Sequence, residues 1–240
     1  MKSIIFFVMT FAFEITTAQT QINKSFSIIK NQNISLKFDY PQLIKISTWD
    51  KDEVQISGIV NINDNENNEA FQIKESKDGN SLVIEGNVSE IDKLPHRITV
   101  HRGNEKLTFK TKEEYQKYCK ANKTTFNTMS NGVDINIELE IKVPKSLKTQ
   151  IEAKYGLVEV KNFGGEIAVN ATYGGIDATV LENNIGKVSA ETNYGQIYSN
   201  LDAKFTGKDE NDFHTLVTAT PGNGPQYNLE SRYGNIYLRK

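Results

Sequence analysis

The sequence predicts an all-β chain, a parallel β-solenoid behind a β-rich N-terminal cap with one short helix. Three observations predict it. The dipeptide Tyr-Gly returns four times, as Tyr155-Gly156, Tyr173-Gly174, Tyr194-Gly195 and Tyr233-Gly234. Around each copy apolar or small residues alternate, the period-2 signature of a strand with one buried face. The tyrosines stand 18, 21 and 39 residues apart, and 39 is one 18 plus one 21. Self-similarity at such a period indicates stacked repeats.

Aligned on the Tyr, position −4 holds Ile151, Val169, Ala190 and Leu229, and position −2 holds Ala153, Ala171, Thr192 and Ser231. Position +3 holds Val158, Ile176, Ile197 and Ile236, and +5 holds Val160, Ala178, Ser199 and Leu238. Even offsets before the Tyr and odd offsets after it mean that the buried face changes phase at Tyr-Gly. That requires a bulge or corner, which Gly tolerates. The eight Tyr and Gly residues are therefore expected to form structural ladders, one coil over the next in sequence order, each ring closing a corner. At −3, Glu152, Asn170, Glu191 and Glu230 face outward, and at −1 so do Lys154, Thr172, Asn193 and Arg232, a solvated face of compensating charge.

In chain order, residues 1–18 read as a secretory signal. Lys2 supplies a basic start, Ile4 to Phe13 an apolar run, and Thr16 and Ala18 small residues at a cleavage site. The run is shorter than the ~20 residues of a membrane span, and no Cys follows it to take a lipid. The expectation is an exported, soluble protein of a Gram-negative bacterium, periplasmic or at the cell surface. Residues 19–130 read as the β-rich cap and irregular first coils, and 131–240 as the regular repeats. A formal net charge of −2 and a pI near 6.0 give no electrostatic reason for nucleic acid or anionic membrane as partner. A single cysteine, Cys119, makes an internal disulfide impossible.

In the N-terminal half, Ile34, Leu36, Phe38 and Tyr40 share one parity, then Ile44 and Ile46, then Val54, Ile56, Val60 and Ile62. Asp64 to Glu69 is an acidic, Asn-rich loop. Phe71 and Ile73 are expected to pair with Leu82 and Ile84 across Asp78-Gly79-Asn80. Arg97 to His101 and Lys106 to Lys110 form a second hairpin around Gly103. Thr111 to Asn122 is the helix: Thr111 and Glu114 make a capping box, and Tyr115, Tyr118 and Cys119 share a face. Asn131-Gly132 reads as a turn. The 39-residue interval reads as one degenerate coil with an insertion.

For chemistry, His96 and His101 fall on opposite faces of a strand and His214 stands alone, so no metal site and no cofactor are expected. Glu159 and Asp177 occupy one column and are the carboxylates nearest to a glycosidase pair. The column continues as Tyr198 and Tyr237, and no catalytic residue is assigned. Trp49, Tyr198 and Tyr237 are the candidate aromatic binding platform.

The segment Ile44 to Val60, two strands around Thr48-Trp49-Asp50-Lys51-Asp52-Glu53-Val54, and the recurring Tyr-Gly-x-Ile pattern closing with Tyr233-Gly234-Asn235-Ile236-Tyr237-Leu238, resemble the bacterial "putative adhesin" family. Its members are exported proteins of unknown function, related to the head GIN domain auto-transporter adhesin group. The resemblance runs from about Ile22 to the end. It implies a single-stranded right-handed β-solenoid, and no functional residues carry over from it.

The expected function is a non-catalytic, adhesin-like binding or scaffolding module. Its partner would be a protein or glycan at the cell envelope, with self-association through an unpaired C-terminal edge at Ile236, Tyr237 and Leu238. The alternatives are a carbohydrate-active enzyme on a β-helix (glycan hydrolysis or polyuronate lysis) and a periplasmic envelope-stress or regulatory interaction protein.

Overall fold

The computed structural model describes residues 20–29, 31–211 and 213–240, without the side chains of 208–211. The expected signal segment lies outside them. Strands follow the sequence alternation: β1 (Thr20–Ser27), β2 (Asn33–Phe38), β3 (Leu43–Trp49), β4 (Glu53–Ile62), β5 (Phe71–Asp78), β6 (Ser81–Val88), β7 (Arg97–Arg102) and β8 (Glu105–Phe109). The helix α1 (Lys112–Asn122) and β9 (Met129–Gly132) come next, then β10 (Ile135–Pro144). The repeats supply β11 (Thr149–Ala153), β12 (Leu157–Lys161), β13 (Ile167–Ala171), β14 (Ile176–Thr179), β15 (Lys187–Thr192) and β16 (Ile197–Ser199). The chain ends with β17 (Thr206–Asn211), β18 (His214–Ala219), β19 (Gln226–Ser231) and β20 (Ile236–Arg239).

Eight strands form one sheet in the order β1-β4-β10-β3-β12-β14-β20-β16, and nine form a second, β17-β18-β15-β19-β13-β11-β2-β6-β5. Parity decides what each strand buries. Ile34, Leu36, Phe38, Ile44, Ile46, Ile151, Val158, Val169, Ile176 and Leu229 are among the inward residues of one continuous core shared by both sheets. Tyr227 is wholly buried there; its hydroxyl donates to the Phe163 carbonyl, and burial pushes its pKa far above the ordinary phenol value.

A third, antiparallel sheet, β8-β7-β9, has a small core of its own, Ile98, Val100 and Phe109, on which Tyr115 and Tyr118 of α1 pack. The Thr111 hydroxyl caps α1 by accepting from the Glu114 N–H at 3.2 Å, whereas the Glu114 carboxylate takes the Lys110 N–H at 2.8 Å rather than that of Thr111. Cys119, on the face shared with these tyrosines, is partly exposed. Among the described residues no helix is long and apolar enough to cross a membrane.

This topology overturns the expected single-stranded parallel solenoid. Both large sheets are mixed. β1–β4 and β4–β10 are antiparallel in the first, and β5–β6, β15–β18 and β17–β18 in the second. The four repeats do pair in parallel and in register, Ile151 beside Val169 and Val158 beside Ile176, but not in sequence order. The fourth copy, β19 and β20, lies between the second and the third. The reason is the 39-residue interval. It forms the antiparallel hairpin β17–β18, and β18 occupies one edge of β15. The returning chain therefore pairs with the other edge. Each repeat gives one strand to each sheet in either order, so a sequence period cannot distinguish the two.

Three further expectations are corrected. β20 lies between β14 and β16, so Ile236, Tyr237 and Leu238 offer no free edge for self-association. Asn131-Gly132 is no turn but part of β9, paired with β7. The β5–β6 hairpin turns at Gly79 (φ +55°) as expected, yet Ile73 faces Gly86 and Glu75 faces Ile84. That register follows from Asp78 standing opposite Ser81 across the two-residue turn.

Candidate functional site

Each repeat crosses from the second sheet to the first at its Tyr-Gly pair, and the crossings continue the parallel hydrogen bonding. Tyr155 N–H donates to Asp39 O (3.1 Å), Tyr173 N–H to Lys154 O (2.9 Å), Tyr233 N–H to Thr172 O (3.0 Å) and Tyr194 N–H to Arg232 O (3.0 Å). The bends are thus held at the spacing of adjacent strands, about 4.8 Å, which sets the rings one above another. The order is Tyr40, Tyr155, Tyr173, Tyr233, Tyr194, with Phe213 tilted against the last. Successive ring centroids among the tyrosines lie 5.8, 5.3, 5.2 and 5.1 Å apart.

Close packing of the bends explains the glycines. Only Gly156 needs a left-handed backbone, at φ +83°. At Gly174 a Cβ would stand 1.5 Å from the Gly156 carbonyl oxygen, and at Gly234 2.2 Å from that of Gly174. Two buried hydroxyls at position −2 tie bends together. Ser231 Oγ donates to Gly174 O (2.8 Å) and accepts from Gly234 N (2.9 Å). Thr192 Oγ1 donates to Gly234 O (3.0 Å) and accepts from Gly195 N (3.1 Å). Ser231→Ala leaves a carbonyl and an N–H unpaired, and the expected cost is about 1–3 kcal/mol. A lowered midpoint in guanidinium unfolding checks this.

The rings are not sealed. Tyr155, Tyr173, Tyr233 and Tyr194 are 40–58% exposed. The planes of Tyr155, Tyr173, Tyr233 and Tyr194 lie within 14° of parallel from one ring to the next. At a contact separation of about 3.5–4.0 Å, their centroid distances imply a lateral offset of roughly 3–4 Å, so part of each face is open. Cations flank the strip: Lys154 Nζ lies 5.6 Å from the Tyr155 ring centre and Arg232 Cζ 5.4 Å from that of Tyr233. Beside it a groove of about 610 Å³ is lined by Asp39, Glu152, Lys154, Asn170, Tyr173 and Glu230 among others. His214, isolated in the sequence, meets Glu191 at 2.8 Å. Glu191 in turn stands beside Glu230 in register.

At the Tyr40 end, a cleft of about 490 Å³ opens between the strip and the three-stranded sheet, lined by Tyr40, Tyr155, Gln42, Lys106, Asn131 and Asp134 among others. The small sheet is anchored beside it. Arg97, buried at the start of β7, pairs with Glu66. The Lys110 ammonium bonded to Glu66, with the Arg97 guanidinium close by, holds that carboxyl below the usual carboxylate range.

The other candidates lie elsewhere. Tyr198 and Tyr237 stack at 5.1 Å on the outer face of the first sheet, with Arg239 Cζ 5.0 Å from the Tyr237 ring centre. Trp49 ends β3; its indole N–H donates to Glu53 O (2.8 Å) and Lys51 lies over its ring. At about 3.3 Å per residue and 4.8 Å per strand, Trp49 is roughly 20 Å from Tyr237, so the three do not form one platform. Glu159 and Asp177 are neighbours in register, but both Asp177 oxygens accept from Arg239 Nε, at 2.7 and 3.0 Å, and Glu159 pairs with Lys161 at 3.3 Å. Among the described residues no group of three or more His, Cys, Asp or Glu is placed to hold a metal ion.

No family model matches the chain, and no curated protein does. Among solved structures, a "putative cell adhesion protein" from Clostridium sporogenes aligns with a TM-score of 0.51 at 13% identity, over 92% of this chain and 99% of that one. A "putative adhesin" from Bacteroides fragilis aligns over 94% of this chain and 100% of that one, at 10% identity and a TM-score of 0.25. The first establishes a likeness of fold; the second adds nothing to it.

Proposed function

We propose that the chain is an exported, non-catalytic binding module of adhesin type, and that its ligand is a glycan chain laid along the tyrosine strip. The observation that carries this reading is the ladder itself: offset rings, half exposed, flanked by cations and by outward carboxylates and amides. An apolar face beside directional polar groups is what a sugar presents in return, a C–H face and a rim of hydroxyls. The rung spacing is comparable with the advance of one residue along an extended glycan. The resemblance to the adhesin family and the signal-like residues 1–18 support export.

The other readings have less behind them. An acid–base pair at Glu159 and Asp177 would need both carboxyls free to face a substrate, whereas both Asp177 oxygens accept from Arg239 Nε and Glu159 pairs with Lys161. A regulatory partner docking at the C-terminal edge would need β20 to be free. Tyr198 and Tyr237 remain a second, shorter aromatic contact, which only a ligand wrapping onto the first sheet would reach.

Glycan-array screening of the purified protein, followed by titration of the best extended ligand, tests the proposal. Replacing Tyr155, Tyr173, Tyr233 and Tyr194 together by Ser is expected to weaken binding by about a hundredfold, at roughly 1.4 kcal/mol per tenfold, with the circular dichroism of the fold retained. Unchanged affinity in that variant would refute the strip as the binding face.

A further inference from the structure

We propose that the cleft at the Tyr40 end of the ladder is a subsite for the end of the ligand, and that it takes an uncharged, hydroxyl-rich sugar ring. This rests on the glycan reading of the strip and adds a position and a chemical class to it. The volume, about 490 Å³, falls within the range of small-molecule sites.

Its aromatic wall is the end of the stack. Tyr40 has one ring partner, Tyr155, whereas Tyr155, Tyr173 and Tyr233 each have two among the described residues. Among the described residues this end rung therefore has a face with no ring laid against it, and Tyr40 lines the cleft.

The polar wall is pre-set. Asp134 is held by Asn63 at two points: its N–H donates to Asn63 Oδ1 (3.0 Å) and its carbonyl accepts the Asn63 N–H (2.8 Å). Its carboxylate, with the side chain only 16% exposed, pairs with Lys106 and lies 3.4 Å from the Thr108 hydroxyl. Gln42 is pinned as well, its amide donating to Ile135 O (2.6 Å) and accepting from Ile137 N (2.6 Å). Groups already held in place lose little freedom when a ligand arrives.

Charge selects the ligand class. Lys106 and Asp134 neutralise each other, so the cleft presents donors and acceptors without net charge. A phosphate, sulfate or uronate would have to break that pair or bind against the carboxylate, whereas hydroxyls can bond to both partners and to the Asn131 amide. Gly132, one of the lining residues, leaves open space: an added Cβ meets no atom within 4 Å, and its φ is not left-handed.

Saturation-transfer NMR on the full chain with neutral disaccharides (cellobiose, lactose, chitobiose), and with glucuronate as the charged control, tests the subsite. The neutral sugars are expected to bind at millimolar concentration and glucuronate is not. Gly132→Phe, which adds a bulky ring to the cleft lining, and Asn131→Ala, which removes the amide, are each expected to weaken disaccharide binding by about tenfold (1.4 kcal/mol). The Tyr173→Ser, Tyr233→Ser double variant is expected to weaken the extended ligand and to lower disaccharide binding less than either cleft variant does. Wild-type disaccharide affinity in both cleft variants, no transfer to any neutral sugar, or a preference for glucuronate would each overturn the subsite. Failure of the strip would read differently, as extended-glycan binding unaffected by the double variant while the cleft variants behave as expected.

Discussion

Gly174→Ala is expected to destabilise the fold by about 3 kcal/mol or more, the upper range for forcing atoms into a packed site. The added methyl would stand 1.5 Å from the Gly156 carbonyl oxygen, a backbone atom that cannot swing aside as a side-chain tip can. Relief requires the second bend to move away from the first. Bends on both sides are bound to it, through Tyr173 N–H to Lys154 O and Tyr233 N–H to Thr172 O, so the strain spreads along the ladder. For a chain of this size the loss corresponds to a melting temperature lower by roughly 6–12 °C. Gly132→Ala is the matched control, since its Cβ meets open space, and it is expected to change stability by less than about 0.5 kcal/mol. Equal midpoints for the two variants in guanidinium unfolding would show that the bends are not packed this tightly.

The second large effect is expected at Asn63, which joins the main sheets to the small one. Its side chain is fully buried. It donates to Asn67 Oδ1 and to Pro95 O, both at 2.8 Å, and accepts from Asp134 N at 3.0 Å. Its backbone is left-handed at φ +52°, a conformation Asn tolerates better than most residues. Asn63→Ala strands the Pro95 carbonyl and the Asp134 N–H and adds backbone strain, an expected cost of about 3–5 kcal/mol. Asn63→Gly separates the two contributions. It relieves the strain and recovers about 1 kcal/mol, leaving the hydrogen-bond loss. Amide exchange at Asp134 should accelerate in both variants. Protection retained in both would mean that Asn63 does not hold the cleft wall.

Much of the local structure was legible because it depends on neighbours in sequence. The parity of Ile34, Leu36 and Phe38, or of Val158 and Val160, reports burial directly, and all five are buried. Hairpin β5–β6 and helix α1 announce themselves by Asp78-Gly79-Asn80 and by Thr111 with Glu114. What escaped depends on which strand meets which. β3 and β4 are joined by a three-residue turn yet separated in the sheet by β10, and nothing within either strand encodes that insertion. The order of the repeats was hidden for the same reason, since β18 competes for an edge of β15 from outside the repeat.

The candidate site was less legible. The four Tyr-Gly tyrosines were visible as a structural ladder and not as a binding face, the expected platform being Trp49, Tyr198 and Tyr237, and the first rung, Tyr40, was hidden by an indel. It has Leu36 and Phe38 at −4 and −2 like the others, but Pro41 replaces the glycine. One extra residue moves its following apolar pair to Ile44 and Ile46, at +4 and +6. Allowing a one-residue gap in the alignment would have found it. The cleft could not have been found this way, because Tyr40, Lys106 and Asp134 come from three separate parts of the chain.

The stacking order Tyr40, Tyr155, Tyr173, Tyr233, Tyr194 underlies the strip, the bends and the subsite alike. Ring-to-ring NOEs in an otherwise deuterated protein with protonated tyrosine rings test it most directly. Cross-peaks are expected between Tyr173 and Tyr233 and between Tyr233 and Tyr194, whose ring centres lie 5.2 and 5.1 Å apart. A cross-peak between Tyr173 and Tyr194, with none between Tyr173 and Tyr233, would contradict the account.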